Sequence, residues 1–485
     1  DPSQYAMSKS ISRRNFLKTS ALSGVALGSG FLGSSRKPEL KKSDFGDAKN
    51  VIFLVSDGMS SGTLSLADQL KQTKHGKKTN WIELYDSDRE YHRGLMDMAS
   101  LSSIVTDSAA AASSWGCGKR INNGALNMGP ENQSYKTICE IFRDSGKATG
   151  LVSTARITHA TPAGFAINMP SRGMEDEIAA QYLDRGYDLL MGGGNRHFDA
   201  EMRDDGRDLY GDFEEAGYTV VKNKRQLGMA TRNSKLLGIF YDSHLPYSID
   251  HQTLPELRDT IPTVAEMTSA ALERLSQNQN GFLLQVEGAR VDHAAHGNDA
   301  AGLVYDQIAF DDAVRAVIDF TENRDDTLVI LTTDHGNANP GASGLGSSYS
   351  STPDLFESLH NYRHSFEWMM RELYAQSEPT VNRVQEVVEY ATRTQITAQE
   401  AGMVQKAVLG EFDAPFNMRE SAGAVLSGVL ANYNSVYFMT TNHTSDYVEL
   451  AAWGPGSDRL DSFVRNTDLF DLMVDMADVR AYAQG

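Results

Sequence analysis

Short apolar runs rich in β-branched residues recur along the chain, and segments with a helical pattern of apolar and polar residues separate most of them. Runs of this length bounded by polar residues are typical of strands buried inside a sheet. The pattern predicts six strands, at residues 51–56, 148–154, 282–286, 327–333, 436–441 and 447–453.

Alternation of strands and helices predicts an α/β fold with a largely parallel central sheet flanked by helices on both faces. From residue 341 to about 430 the strand pattern lapses and helical, polar sequence replaces it. We interpret this stretch as a helical insertion in one catalytic domain that spans residues 45–485. A second, independent domain is the alternative interpretation.

The N-terminal segment carries the features of an export signal. Arg13 and Arg14 precede Phe16 and Leu17, and an uncharged stretch rich in Gly, Ser, Ala and Leu follows at residues 19–35. Paired arginines ahead of such a stretch predict a twin-arginine signal and leader over residues 1–38. The stretch is too short and too rich in glycine to span a membrane stably. The expected location is therefore periplasmic or secreted.

The net charge and the number of cysteines limit which partners and which metal ligands the protein is expected to have. The chain has 45 basic and 64 acidic side chains, a formal charge of -19, which disfavours binding to a nucleic-acid backbone. Two cysteines, Cys117 and Cys139, are too few for a disulfide scaffold or a thiolate zinc site, so bound zinc would need His and Asp ligands. Both cysteines are expected to be free thiols. An acidic protein that acts on an anion needs local positive charge from metal ions or a placed arginine.

Side chains that bind metals follow three of the predicted strands. Asp57 follows the first strand, Glu287 follows residues 282–286, and Asp334 and His335 come at the end of residues 327–333. Ligands of parallel sheets gather at the carboxyl ends of the strands. Asp334 and His335 offer one hard oxygen and one borderline nitrogen, a pair that suits a zinc-like ion.

Two further histidine-containing segments extend this set. Asp292 and His296 are four residues apart, on one face if the backbone is helical, and His443 follows another predicted strand. Taken singly, such a pair is more often a solvated helix face, and an Asp-His-Gly or a lone histidine is usually unremarkable. Convergence of three clusters on strand ends favours metal binding instead.

A possible nucleophile begins an alanine-rich segment. Ser108 follows Thr106 and Asp107 and precedes four alanines, a pattern that predicts the start of a helix. The segment could serve only as a helix cap. It could also place Ser108 where backbone amides and the helix dipole stabilise an alkoxide and hold a phosphate. These two readings are compatible.

These motifs, in this order, resemble those of the alkaline phosphatase family. The resemblance covers the chain from about residue 51 to the C-terminus, except for the helical insertion. The motifs are Val-Ser-Asp57-Gly-Met, Thr-Asp-Ser108-Ala, Thr-His159-Ala-Thr161-Pro-Ala, Val-Glu287-Gly-Ala-Arg-Val-Asp292-His-Ala-Ala-His296, Thr-Asp334-His335-Gly and Asn-His443-Thr.

The resemblance implies two zinc ions and one magnesium ion. The ligands of the first zinc would be Asp292, His296 and His443. Those of the second would be Asp57, Asp334, His335 and the Ser108 oxygen. Magnesium would take Asp57, Thr161 and Glu287, with water completing its shell.

Three more residues acquire roles from the resemblance. Arg172 lies where the family keeps the arginine that grips the phosphoryl oxygens, although its surroundings differ from the usual pattern. His159 and His293 give the His/His version of two positions that vary within the family. Both would reach the phosphate or the magnesium shell through water rather than bind zinc directly.

The implied activity is hydrolysis of phosphate monoesters through a phosphoserine on Ser108, with inorganic phosphate as product. Two alternatives remain open: a phosphodiesterase of the same superfamily, and a non-catalytic metal- or phosphate-binding protein of the envelope. A sulfatase is disfavoured because alanines follow Ser108 where that family requires Pro and Arg. Many relatives are homodimers whose interface uses the region that this chain has rebuilt, so the oligomeric state stays open.

Overall fold

A ten-stranded sheet runs through the protein. The computed structural model describes residues 47–344, 349–412 and 421–483. Two short two-stranded sheets, β9 with β12 and β10 with β11, accompany the large one. The strands are β1 Asn50–Ser56, β2 His92–Asp97, β3 Ala148–Arg156, β4 Leu189–Gly193, β5 Tyr218–Val221, β6 Lys235–Ile239, β7 Phe282–Gly288, β8 Thr327–Thr332, β9 Gly336–Asn337, β10 Gly341–Ala342, β11 Val436–Tyr437, β12 His443–Thr444, β13 Val448–Trp453 and β14 Phe463–Arg465.

Helices connect the strands and cover the sheet. They are α1 Ser61–His75, α2 Asn80–Asp86, α3 Ser108–Cys117, α4 Ile138–Asp144, α5 Ala160–Ala166, α6 Glu175–Arg185, α7 Leu209–Glu215, α8 Lys224–Met229, α9 Ser248–Thr253, α10 Pro255–Thr260, α11 Val264–Leu275, α12 Arg290–His296, α13 Ala300–Thr321, α14 Thr352–Glu357, α15 Phe366–Tyr374, α16 Val381–Thr392, α17 Ala398–Val408, α18 Ala422–Asn434 and α19 Asp468–Met476. Short 3₁₀ helices lie at Asn195–His197, Tyr349–Ser351, Ser358–Asn361, Ser457–Arg459 and Arg480–Ala483.

The order of strands places β1 in the middle of the sheet. That order is β14-β2-β13-β8-β1-β7-β3-β4-β6-β5. The seven strands from β8 to β5 in this order are parallel, whereas β13 is antiparallel to both of its neighbours, β8 and β2. The expected fold, a largely parallel α/β sheet flanked by helices, is therefore confirmed.

Strand β1 is covered on both faces of the sheet, which explains the unbroken apolar run in its sequence. Ile52 and Leu54 belong to the hydrophobic core on one face of the sheet, and Val51, Phe53 and Val55 to the core on the other. Side chains of a strand alternate between the two faces, so a strand covered on both sides needs apolar residues at every position.

The helices between residues 352 and 434 share a core with one face of the sheet. Phe366, Met369 and Val388 belong to the same hydrophobic cluster as Ile52 and Leu54 of β1. This helical segment, α14 to α18, therefore packs on the sheet rather than around a core of its own.

Several predicted strand positions were wrong or incomplete. Residues 436–441 do not extend the central sheet: only Val436–Tyr437 is strand, and it pairs with Gly341–Ala342. Tyr437 and Met439 are exposed, 39% and 59%, because this stretch is not covered on both faces. The sheet resumes only at β13. The pattern also missed β2, β4, β5, β6 and β14, which are short, polar or rich in glycine.

Cys117 and Cys139 are buried free thiols, as predicted. Within the described residues, no helix is long and apolar enough to cross a membrane. The predicted export signal with Arg13 and Arg14 lies outside the described residues.

Candidate active site and metal centre

Three neighbouring strands bring their carboxyl ends together at the candidate site. Val55 of β1 pairs with Glu287 of β7 on one side and with Thr332 of β8 on the other. Asp57 and Asp334 each lie two residues beyond those paired positions. The topology therefore collects the carboxylates of Asp57, Glu287 and Asp334 at one edge of the sheet, as the sequence predicted.

The first cluster consists of Asp57, Asp334 and His335, all completely buried or nearly so. His335 Nε2 lies 3.2 Å from Asp334 Oδ2 and 3.5 Å from Asp57 Oδ1. The Gly58 amide donates to Asp334 Oδ1 at 2.9 Å, which leaves the second oxygen of Asp334 facing the cluster. Two acidic oxygens and one imidazole nitrogen are a donor set that suits zinc.

Ser108 joins this cluster as the first residue of helix α3. Its Oγ lies 3.3 Å from His335 Nε2. Asp107 caps the helix, because its Oδ1 accepts a hydrogen bond from the Ala110 amide at 2.9 Å. The two interpretations of this segment, a helix cap and a serine at a helix N-terminus, are therefore compatible. Asp107 is the cap, and Ser108 lies at the positive end of the helix dipole.

A second cluster consists of Asp292, His296 and His443. Asp292 and His296 are four residues apart on helix α12, as predicted. Asp292 lies 3.4 Å from His296 Nε2 and 3.5 Å from His443 Nε2. The ring of His443 stacks on that of His335 with centroids 3.6 Å apart, so the two clusters are adjacent.

Backbone carbonyls fix the orientation of both histidines in the second cluster. Nδ1 of His296 lies 2.6 Å from the Thr441 carbonyl, and Nδ1 of His443 lies 2.9 Å from the Thr106 carbonyl. A carbonyl only accepts, so each Nδ1 carries the proton and each Nε2 presents a lone pair. These two Nε2 atoms are 3.0 Å apart, an arrangement that a cation bound between them would stabilise.

A third cluster brings together Asp57, Glu287 and His159. Ser153 donates a hydrogen bond to Glu287 Oε2, and Glu287 Oε1 has no hydrogen-bond partner. The buried Thr161 hydroxyl likewise lacks a partner. Hard oxygen donors of this kind suit magnesium. A ring nitrogen of His159 lies within 4.8 Å of carboxylate oxygens of Asp57 and Glu287, next to the cluster that the sequence predicted it to reach through water.

Electrostatics within the site call for bound cations. Both oxygens of Asp57 and Oδ2 of Asp334 are buried without a hydrogen-bond partner. Burial raises the pKa of Asp57 well above its usual value, and the Asp334, Asp292 and Glu287 carboxylates raise it further. Burial also raises the pKa of Glu287 to about 7. Several carboxylates buried this close together are costly unless positive charge accompanies them, so these residues fit metal ions.

Arg172 lies beside the Ser108 helix. Its Nη1 donates to Asp107 Oδ2 at 3.1 Å, and its Nη2 lies 3.1 Å from His159 Nε2. The Arg172 side chain is 28% exposed. The guanidinium is therefore held by two partners and still accessible to a ligand.

A group of three histidines lines the same side of the site. His159 and His293 have ring centroids 5.5 Å apart, and His244 lies 4.3 Å from His293 and 5.4 Å from His159. Burial lowers the pKa of His159 and of His293 well below the usual value, and nearby arginines lower both further. The sequence did not point to His244, because it follows β6, a strand that the pattern missed.

Asn337 is a second residue that the sequence did not single out. Its Nδ2 donates to Asp292 Oδ1 at 2.6 Å and lies 3.2 Å from the Asp292 carbonyl. The backbone N–H of Asn337 donates a hydrogen bond to the Ser60 hydroxyl oxygen at 3.0 Å, which fixes the position of Asn337. Asn337 thus fixes Asp292 from the Asp334 loop. Its place two residues after His335 was the available signal.

Comparison with known proteins agrees with this geometry. The family model for alkaline phosphatase matches residues 48–479. Alkaline phosphatase 3 of Bacillus subtilis is 31% identical over 475 residues, which cover 94% of this chain and 95% of that protein. The chain belongs to the alkaline phosphatase family.

Solved structures give the same result. The alkaline phosphatase of Thermus thermophilus is 31% identical, with a TM-score of 0.84 over 93% of this chain and 96% of that one. A cold-active alkaline phosphatase from Shewanella is 26% identical, with a TM-score of 0.73 over 87% of this chain and 98% of that one. The protein is therefore an enzyme, a hydrolase of this family that binds metal ions.

Proposed function

We propose that the protein hydrolyses phosphate monoesters with Ser108 as the nucleophile. The observation that carries this proposal is the position of Ser108: it begins helix α3 and its Oγ lies 3.3 Å from His335 of the first cluster. Arg172 is held beside it through Asp107. A candidate nucleophile thus contacts a cluster of metal-binding side chains, and an arginine lies on the residue before it, which supports a phosphoryl site here.

The three clusters would hold two zinc ions and one magnesium ion. Asp292, His296 and His443 would bind one zinc. Asp57, Asp334, His335 and Ser108 would bind the second, and Asp57, Thr161 and Glu287 the magnesium. When bound, such ions lower the pKa of coordinated oxygens and stabilise the charge of attacking and leaving oxygens in an in-line displacement.

The chain's own residues supply the rest of the reaction. Ser108 Oγ loses its proton to solvent and forms a bond to phosphorus while the bond from phosphorus to the leaving oxygen breaks, and the departing alkoxide takes up a proton from solvent to leave as the alcohol. Water then attacks the phosphoserine, which releases inorganic phosphate and restores the serine. Backbone amides at the start of α3 and the Arg172 fork contact the non-bridging oxygens, where negative charge concentrates in both steps.

A phosphodiesterase is the second candidate of the same superfamily. Arg172 favours the monoesterase, because a monoester carries more charge on its non-bridging oxygens and a bidentate arginine matches them. A non-catalytic binding protein is disfavoured because such a protein would be expected to have lost a ligand or the serine, and none of these residues is missing from the sequence motifs.

Hydrolysis of an aryl phosphate monoester compared with the matched diester tests this proposal. We expect the purified enzyme to prefer the monoester strongly in kcat/KM, and metal analysis to find about two zinc and one magnesium per chain. A preference for the diester would replace the proposal with the phosphodiesterase. No turnover of either ester by fully metal-loaded protein would support a binding function.

We also propose export by the twin-arginine route to the periplasm or the medium, on the basis of Arg13 and Arg14 in the sequence. Replacing both arginines by lysine is expected to leave active enzyme in the cytoplasm, measured by cell fractionation. Unchanged export of that variant would contradict the proposed route.

A further inference from the structure

A buried arginine lies between the catalytic motif on α12 and the helical segment. Arg290 is the first residue of α12, two positions before Asp292, and only 4% of its side chain is exposed. Its guanidinium stacks over the Tyr247 ring at 3.7 Å. A fully buried arginine is rare unless its charge and its donors have partners, so its contacts are informative.

The two ends of the guanidinium contact different parts of the protein. Nη1 lies 2.9 Å from Nδ1 of His293, and Nη2 donates to Glu367 Oε2 at 2.5 Å. Arginine has only donors, so Nδ1 of His293 must accept. The ring proton of His293 is then on Nε2, and Arg290 selects this tautomer.

Glu367 comes from helix α15, whose start is fixed at the same place. The Phe366 amide donates to Asp299 Oδ2 at 2.6 Å, and the Ser365 hydroxyl donates to Asp250 Oδ2 at 2.5 Å. Both carboxylates are buried. The first turn of α15 therefore cannot shift freely, and Glu367 is held where it meets Arg290 even though 64% of its side chain is exposed.

We propose that Arg290 is a positioning residue for the phosphatase reaction: it holds His293 as the Nε2–H tautomer, and the helical segment supplies Glu367 to keep the guanidinium in place. The helical segment thus acts on the active site through two consecutive side-chain contacts, from Glu367 to Arg290 and from Arg290 to His293. This inference rests on the proposed monoesterase function.

Kinetics in two backgrounds test whether Arg290 and Glu367 act through His293. Arg290→Gln and Glu367→Ala are made in the wild-type enzyme and in the His293→Gln variant. We expect each to lower kcat for an aryl phosphate roughly 3- to 10-fold when His293 is present, and to have almost no effect when it is absent. Glu367 is on the surface, so its variant remains a test even if Arg290→Gln does not fold.

The matched control is Glu372→Ala. Glu372 lies on the same helix and pairs with Arg383 at 3.1 Å, a contact within the helical segment itself. We expect this variant to keep wild-type kcat. An equal loss in Glu372→Ala and Glu367→Ala, or equal losses in both His293 backgrounds, would overturn the proposal and leave Arg290 a structural role.

A spectroscopic measurement separates this inference from the proposed function. In enzyme labelled with ¹⁵N-histidine, the His293 signals are identified by their loss in His293→Gln. We expect the chemical shifts of the Nε2–H tautomer, and a change in those shifts in Glu367→Ala. The Nδ1–H tautomer in the wild-type enzyme would overturn the inference. Failure of the enzyme to hydrolyse any monoester would instead contradict the proposed function, and this measurement would still decide whether Arg290 and Glu367 hold His293 in the Nε2–H tautomer.

Discussion

In the proposed mechanism, Ser108 supplies the oxygen that attacks the phosphoryl group. We expect Ser108→Ala to lower kcat for a monoester by roughly three to six orders of magnitude, because the attacking oxygen is lost. The variant should stay folded and keep its metal ions, since the other ligands of the first cluster remain. Steady-state kinetics, metal analysis and circular dichroism provide the measurements.

Ser114→Ala on the same helix is the control for that variant. The Ser114 hydroxyl is buried and donates to the Ala111 carbonyl of its own helix, so its loss changes no contact of the site. We expect nearly unchanged kcat. Near wild-type turnover by Ser108→Ala would remove Ser108 from the mechanism.

His159 is the neutral member of the third cluster, beside the carboxylates of Asp57 and Glu287. Replacement by aspartate adds a carboxylate beside Asp57 and Glu287 and introduces a negative partner for Arg172. We expect His159→Asp to tighten magnesium binding roughly 10- to 100-fold and to lower turnover, because a more anionic site also holds Arg172 away from phosphate. Titration of zinc-loaded enzyme with magnesium, followed by activity, measures both effects. An unchanged magnesium midpoint would mean that His159 does not influence this ion.

Among the secondary-structure elements, helices α3 and α5 pack so closely that only glycine fits at Gly116 and Gly164, where they touch. A Cβ on Gly116 would lie 1.9 Å from the Gly164 carbonyl oxygen of α5. We expect Gly116→Ala to force the helices apart and to destabilise the protein by about 1–3 kcal/mol. Because α3 begins with Ser108, kcat should fall as well. Urea unfolding and kinetics measure the two consequences.

The control at this scale is Gly428→Ala on α18. Gly428 is exposed, and a Cβ there would meet nothing within 4 Å. We expect a gain of about 1 kcal/mol, since alanine is the better helix former. Equal stability changes in the two variants would show that close packing of α3 on α5 is not what Gly116 provides.

Central strands, which are covered on both faces, could be predicted from the sequence, whereas strands nearer the edges of the sheet could not. Strands β1 and β8 have uninterrupted apolar runs, and the run of β7 is broken only by Gln285, so the metal-binding side chains that follow these strands could be found. Strand β4 ends in two glycines and β6 is only five residues long, so neither gives a clear pattern. His244 was missed together with β6.

Contacts between distant segments were beyond the reach of the sequence. Asn337 acts on Asp292, and Arg290 meets Glu367, only because the fold brings their elements together. No local pattern encodes either contact. The sequence could place the chemical groups at strand ends, whereas the second layer of residues that orients them depends on how loops and helices pack.

For the whole molecule, bound metal ions are expected to contribute to stability. Ions that bind only the folded state at roughly 100–1,000 times their Kd add about 3–4 kcal/mol. We expect treatment with a chelator to lower the midpoint of thermal unfolding, and re-addition of zinc and magnesium to restore it. A midpoint that does not change on verified metal removal would contradict the metal assignment of the three clusters.

The loss on metal removal should be larger at about pH 8 than at about pH 5. Without cations, burial raises the pKa of Glu287 in the folded protein to about 7, above its usual value of 4.5. The folded state then holds a proton that the unfolded state has released. This group's contribution to stability therefore falls as pH rises from about 4.5 to about 7. Thermal unfolding of chelated enzyme across that range is the measurement.

The central position of β1 has a consequence for synthesis of the chain. Strand β1 ends at Ser56, but its neighbours β7 and β8 begin only at Phe282 and Thr327. A ribosome that adds roughly 5–20 residues per second needs roughly 10–50 seconds to make the first of these partners. During that time the seven residues of β1 have left the ribosome without either neighbour. This strand, apolar on both of its faces, is therefore expected to need shielding by a chaperone until β7 is made.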